Sequence, residues 1–379
     1  MPLKPQPPVL SRGSGSLVST EDGRTLVDLA MGFGAAFLGH AHPAVTTSLQ
    51  EQAGRVLSCG RIPTARTARV DALLSALLPP GLRPGGLYST GMEVAEFALR
   101  VAATHTGRSE FAGFAQSMHG KSAMTAALCW RNAPLLPNNL HVLPFVAEAG
   151  EGEILDALAR LLRTQRVAAL FVEPIQGSNA AREASLDFYR RAIDLCHEHG
   201  SLCVFDETLT GLHRTGTTFY VDRLHQPPDM LLFAKCMGNG FPVSALALGE
   251  HIRVRAEALP GSTFSGNALA LAAVEGTLTA MGTLPMAERV ASIETIVRSA
   301  LGQLQEAGAT LRGRGALWCL EFDDAIRLQN VHAAVRDAGL LVTCGERFIR
   351  LLPAATIEPQ LLQESCEKIA RACALAGRR

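Results

Sequence analysis

The sequence predicts an α/β fold, a large domain on a mostly parallel seven-stranded sheet followed by a smaller α+β domain. Three observations carry this. From Gly86 to Leu248, short apolar runs of strand type alternate with helical stretches of ten or more residues, the pattern of a parallel sheet covered on both faces. Two of the runs end in groups capable of chemistry, Leu202 to Phe205 in Asp206-Glu207 and Met230 to Ala234 in Lys235. Beyond a long alanine-rich helix, Ala268 to Met281, the rhythm changes to strands at Gly313 to Phe322, Gly339 to Val342 and Phe348 to Leu352 among helices near 285–307, 329–338 and 358–375. The expected division is an N-terminal arm over 1–45 that joins the small domain, a large domain over 46–270 and the small domain over 271–379.

Composition narrows the function. At 379 residues and 47% apolar content, the chain can bury a sizeable core. Lys+Arg and Asp+Glu both total 35, so neither nucleic acid nor an anionic membrane is favoured as a partner. The nine cysteines contain no CxxC pair, which fits reduced thiols in a cytoplasm better than a disulfide framework or a zinc site. Met1 to Pro8 has no apolar signal core, and no run reaches the ~18 residues of a membrane span. A cytoplasmic, soluble protein acting on a small molecule, with no metal, is expected.

Taken in order, Gly15 to Ala30 reads as a hairpin turning at Glu21-Asp22-Gly23. Met31 to Pro43 follows, a loop whose glycines lie among Phe33, Phe37, His40 and His42, suited to close backbone approach. Its histidines have no carboxylate or cysteine beside them in sequence and read as structural. Pro43 to Leu57 and Thr64 to Leu78 are helical, and Pro79-Pro80-Gly81 stops the second. A strand at Gly86 to Ser89 runs into Thr90-Gly91-Met92-Glu93 and a helix, an arrangement that taken alone reads first as an N-cap at Thr90 and also presents free N–H groups on which an anion could sit. Strands at Phe111 to Phe114, Val142 to Phe145 and Val167 to Val172 alternate with a helix at Gly152 to Leu162; Leu186 to His199 is the helix leading to Asp206, and Val243 to Leu248 a further buried strand.

Asp206 and Lys235 sit where α/β sheets place chemistry, at strand ends. A carboxylate able to hold a ring nitrogen protonated and an amine able to form an imine are the two groups that a pyridoxal 5′-phosphate (PLP) enzyme must supply. Taken alone, the pair also fits a helix cap and a solvated strand end.

Seven segments, in order, resemble the class III aminotransferases (ornithine, acetylornithine and 4-aminobutyrate type), PLP enzymes of fold type I. Asp206 to Gly216 is similar to the family's DExxTGxxRTG segment, and Phe233-Ala234-Lys235 through Pro242 to its lysine segment. Thr90-Gly91-Met92-Glu93 resembles the phosphate turn, Met118-His119-Gly120 the aromatic-HG and Glu173 to Gly177 the EPxQG. Gly261 to Asn267 resembles GSTFxGN, and Ile349-Arg350-Leu351-Leu352-Pro353 the closing xRLxP. The resemblance implies PLP bound as an aldimine to Lys235, which then moves the proton. It implies Asp206 on the pyridinium nitrogen, with Gly91 and Met92 on the phosphate together with Thr263 from a second copy in a homodimer. It places His119, Glu173 and Leu209 around the cofactor, Arg350 on a substrate carboxylate and Phe33 in the substrate pocket.

Three departures shape the expected specificity. Met118 stands where the family usually stacks an aromatic on the ring, Leu209 where it often has Gln, and Ser178 where a Glu pairs with the arginine. They imply a pocket of Phe33, Phe37, Met118 and Leu209 more apolar than that of ornithine-type enzymes. The expected reaction moves an amino group from a glutamate- or alanine-type donor, through pyridoxamine phosphate, to an aldehyde or ketone, with an apolar acceptor from specialised metabolism. An aminomutase of the glutamate-1-semialdehyde type, or a racemase of the same fold, is the alternative; a binding module need not keep both Asp206 and Lys235.

Overall fold

The computed structural model describes residues 8–58, 60, 62–129, 138–254, 259 and 261–376. Cys59, residues 130–137 and the first residues of the arm lie outside these.

The central sheet has seven strands in the order Leu82–Tyr88, Ser244–Gly249, Met230–Phe233, Leu202–Asp206, Val167–Val172, Glu110–Phe114 and Leu140–Leu143. Ser244–Gly249 is antiparallel to both neighbours, and the remaining pairings are parallel. The central strands are buried along their whole length because helices cover both faces, which is why they read as continuous apolar runs rather than alternating ones. Alternation still decides what faces what. Leu202 and Val204 pack into the layer of the helix Gly91–Thr106, while Cys203 and Phe205 pack into the opposite layer with the helix Leu186–Glu198. The next residue in the first series is Asp206, so the period of two delivers its carboxylate to the face carrying Gly91.

The C-terminal region differs from expectation in two respects. The stretch Gly313 to Phe322 is two strands, Ala309–Arg314 and Leu317–Phe322, joined by a tight turn in an antiparallel sheet with Phe348–Leu351 and Thr343–Cys344. Gly315 makes the turn at φ +59°, and a Cβ there would lie 2.7 Å from the Arg214 carbonyl oxygen. The strand expected at Gly339 to Val342 leaves this sheet: Leu340–Leu341 pairs in parallel with Val27–Asp28, at the edge of the N-terminal hairpin. Among the described residues no single helix is long and apolar enough to cross a membrane.

Candidate active site

Asp206 ends its strand wholly enclosed. His119 Nδ1 lies 2.9 Å from its Oδ2, and the Thr208 N–H donates to Oδ1 at 3.0 Å. Burial pushes the carboxyl upward, but the His119 bond and charge, with the Thr208 donor, outweigh it and hold Asp206 below the ordinary carboxylate range. It is therefore an ionised, buried carboxylate. Its neighbour Glu207 points into the other layer and accepts from the Tyr220 and Val221 N–H groups and the Thr210 hydroxyl.

Lys235 follows the strand Met230–Phe233 at the head of a short 3-10 turn, with φ +28°, a conformation that turns its side chain off the line of the strand. Burial lowers its pKa; the charges of Glu173 and Asp206 oppose this and that of Arg350 adds to it. The amine thus shares one electrostatic site with all three. Glu173 is buried, accepting from the Met118 and Gly177 N–H groups at 3.0 and 3.1 Å, and burial raises it to about 7. Its two oxygens hold the Met118 segment and the Gly177 turn in a fixed relation.

Gly91 and Met92 open a helix of 16 residues. Thr90 caps it, its Oγ1 accepting from the Glu93 N–H at 3.1 Å and its carbonyl from Val94. The N–H groups of Gly91 and Met92 have no intrahelical acceptor. A Cβ on Gly91 would stand 3.1 Å from Thr208 Cγ2, so glycine is what lets the turn approach the Asp206 segment. Thr263 is exposed on a turn beside Phe264 and is not gathered with these groups.

On the other side, buried Arg350 donates from Nη1 to the Gly177 carbonyl at 2.7 Å, and its Nε is buried without a partner. With Ser178 in place of an acidic residue, Arg350 meets the Gly177 backbone dipole here rather than a charge. A cavity of about 640 Å³ opens here, bordered by Met118, Ser178, Arg182, Glu321, Phe348 and Arg350 among others. Arg182, Glu321 and Arg350 share its wall with uncharged residues that include Met118, Ala180 and Phe348. Phe37 is withdrawn entirely: it is fully buried with the Arg214 guanidinium 3.9 Å over its ring. Leu209 is packed against Gly34 and Gly177, where a Cβ on Gly177 would collide with it. Phe33 remains exposed, on a turn in which Gly32 and Phe33 are both left-handed. Arg214 was expected only as part of a motif. It is a buried tie, donating to the carbonyls of Gly34, Ala316 and Pro353, which no local pattern in the sequence signals.

The aminotransferase class-III family model matches residues 3–373. The chain belongs to this family. It is 31% identical to the LysW-aminoadipate semialdehyde transaminase of Deinococcus radiodurans, over 94% of this chain and 83% of that one. It is also 31% identical to the acetylornithine aminotransferase of Methanopyrus kandleri, over 98% and 95%, and to the 2-aminoadipate transaminase of Pseudomonas putida, over 95% and 94%. A crystal structure of a transaminase from the marine bacterium Virgibacillus superposes with a TM-score of 0.91 at 18% identity, covering 98% of this chain and 94% of that one, and shows the shared fold. The protein is thus a class-III aminotransferase, and the family's cofactor is PLP. The residues present suit that group: an enclosed carboxylate kept ionised, a buried amine with lowered proton affinity, and a helix start whose glycine allows close approach.

Proposed function

We propose that this aminotransferase takes the amino group of a glutamate- or alanine-type amino acid and passes it to an aldehyde or ketone. The observation that carries the reading is the convergence of Lys235, Asp206 and Glu173 with Arg350, a buried cation hydrogen-bonded to the Gly177 carbonyl. Lys235 would hold PLP through its Nζ, Asp206 would face the ring nitrogen, and the N–H groups of Gly91 and Met92 would take the phosphate. When bound, PLP supplies the carbonyl carbon that receives the amino group and a ring that withdraws electrons.

The chain's own contribution is placement and proton control. Lowered proton affinity lets Lys235 Nζ accept a proton from the donor Cα and return it. His119 keeps Asp206 oriented and charged. Met118 covers the site with a thioether in place of an aromatic ring. Arg350 would receive the donor carboxylate, its planar fork suiting a two-point contact. A homodimer fits the same reading, with Thr263 of the partner subunit completing the phosphate site. Its support is a set of exposed apolar side chains, Ile62, Met92 and Phe264, with Leu57 tied to the start of the helix at Ala268.

A donor panel on the PLP-loaded enzyme tests this, following the absorbance of the cofactor and the free oxo acid by chromatography. Glutamate or alanine should release its oxo acid in a half-reaction without acceptor. If amino groups move with no free oxo acid released by any donor, transfer between molecules is wrong and isomerisation within one is right. Arg350→Ala should cut kcat/KM for carboxylate-bearing donors by roughly 10- to 100-fold, the size of a lost charge-assisted contact, and spare amines that have no carboxylate.

A further inference from the structure

Four consecutive residues, Met31 to Gly34, have positive φ, at +45°, +60°, +58° and +87°. Glycine accepts this region freely, but Met31 and Phe33 carry a Cβ and are strained in it. Such strain persists only where the surroundings over-determine the backbone, and it gathers at sites that bind or react. Asp28 holds the start of the turn: its Oδ1 accepts from the Ala30 and Met31 N–H groups at 2.7 and 2.8 Å, while His40 Nε2 stands 2.8 Å from Oδ2. Arg214 holds the end, donating from Nη2 to the Gly34 carbonyl at 2.8 Å. Gly34 also backs onto the site. A Cβ there would stand 3.1 Å from Leu209 Cδ1, and Leu209 in turn presses on Gly177, whose carbonyl holds Arg350.

Arg214 is wholly buried, and a guanidinium keeps its charge there. Among the described residues its acceptors are the carbonyl oxygens of Gly34, Ala316 and Pro353 and the Cys236 sulfur at 3.8 Å, rather than a carboxylate. Water does not reach such a charge, so none of these acceptors is released cheaply. Each belongs to a different segment: the left-handed turn, the hairpin turn after Arg314, the chain just past Arg350, and the turn that begins at Lys235. The Arg214 carbonyl also accepts from the Ala316 N–H at 2.8 Å. Backbone and side chain together clasp the hairpin turn, which leaves the guanidinium little freedom to follow Gly34 if the left-handed turn unwinds.

We infer that Arg214 is a positioning residue for the transfer reaction: through the Gly34 carbonyl it keeps the Met31–Gly34 turn left-handed, and so fixes where Phe33 and Leu209 stand relative to an incoming substrate. The inference rests on the reading that the substrate enters beside Arg350. Phe33 is 63% exposed, so the turn, not packing of its ring, sets its direction. Without the bond from Arg214 the strained residues return to ordinary backbone and the ring swings away. Lys235 and Asp206 keep their own contacts, so substrate affinity is lost while cofactor attachment survives.

Steady-state kinetics and melting curves of PLP-loaded variants test this. Arg214→Met keeps much of the volume without the charge, and should raise KM for glutamate or alanine roughly 10- to 100-fold, the penalty of a misplaced contact. Its kcat should stay within about threefold, and the cofactor absorbance should not change. Arg214→Lys, which keeps the charge without the fork, should recover part of the affinity. Phe33→Gly reads the strain itself. With Arg214 in place it removes a left-handed side chain and should raise the melting temperature by roughly 1–2 °C; in Arg214→Met, whose turn has relaxed, the added glycine should lower it by a similar amount. An effect of Phe33→Gly with the same sign in both backgrounds, or an unchanged KM in a folded Arg214→Met, would overturn the inference. So would a loss confined to kcat with altered cofactor absorbance, which would place the effect on Cys236 and Lys235 instead. Should Arg214→Met not fold, Gly34→Ala takes its place: a methyl pressed between Leu209 and Leu352 should displace the turn and raise KM in the same way, and an unchanged KM would again overturn the inference. Release of no oxo acid from any donor would instead overturn the reading of the site, and leaves the Phe33→Gly comparison to decide the inference.

Discussion

His119 Nδ1 and Asp206 Oδ2 lie 2.9 Å apart with both side chains enclosed. Because Asp206 is anionic, the Nδ1–H is the donor, and this bond fixes both the charge and the direction of the carboxylate. His119→Ala removes a charge-assisted hydrogen bond worth about 1.5–3 kcal/mol. The expected result is a PLP dissociation constant raised roughly 10- to 100-fold, read by absorbance titration of the apoprotein. Unchanged affinity would mean that Thr208 orients Asp206 unaided.

Lys235→Ala removes the amine at the end of the strand Met230–Phe233. The protein should then bind PLP without the absorbance near roughly 400–430 nm that an imine to the enzyme produces. A spectrum identical to that of the unmodified enzyme would exclude Lys235 as the point of attachment.

Gly177 is crowded by Leu209 on one side, and Arg350 Nη1 would lie 3.4 Å from an added Cβ. Gly177→Ala should lower stability by about 1–3 kcal/mol, the usual cost of overpacking. Leu209→Ala made in the same chain should return most of the loss, because the two substitutions are coupled through one contact. Additive effects in denaturant unfolding would show that the collision is relieved by backbone movement instead.

Glu207 is raised to about 8 by burial, against an ordinary value of 4.5. A carboxyl raised on folding binds more protons in the native state between these values, so its contribution to stability is complete below about 4.5 and is lost as pH climbs through 8. Relative to a Glu207→Gln variant, which cannot titrate, the unmodified protein should lose a few kcal/mol of stability over that interval. Melting temperatures of both proteins across this range measure it, and a constant difference between them would refute the assignment.

Asp206 and Lys235 are legible in the sequence because each ends a run of apolar residues, and the period of two then says which layer Asp206 faces. The helix start at Thr90-Gly91 is legible for the same local reason, a cap and a glycine next to each other. The strand Ala309–Arg314 is hidden because Ala-Thr-Leu-Arg-Gly-Arg lacks an alternating apolar face; pairing with Leu317–Phe322 makes it a strand. Phe37 looks like a pocket residue in a glycine-rich loop, but its environment is set by Arg214, remote in sequence. Arg182 carries no signal at all, since its partner Glu321 is remote in sequence.

The parallel pairing of Leu340–Leu341 with Val27–Asp28 also governs how the chain must be made. The strand Thr25–Asp28 has one side covered early by its hairpin partner Leu17–Thr20, while the other side waits for residues about 300 positions downstream. At the ordinary pace of translation that delay is roughly 15 to 60 s. Throughout it the nascent chain carries an unpaired edge, a template for association with other strands, which holding chaperones at the ribosome would have to shield. The sheet that holds Val27 and Asp28 is finished only when Leu341 has been synthesised.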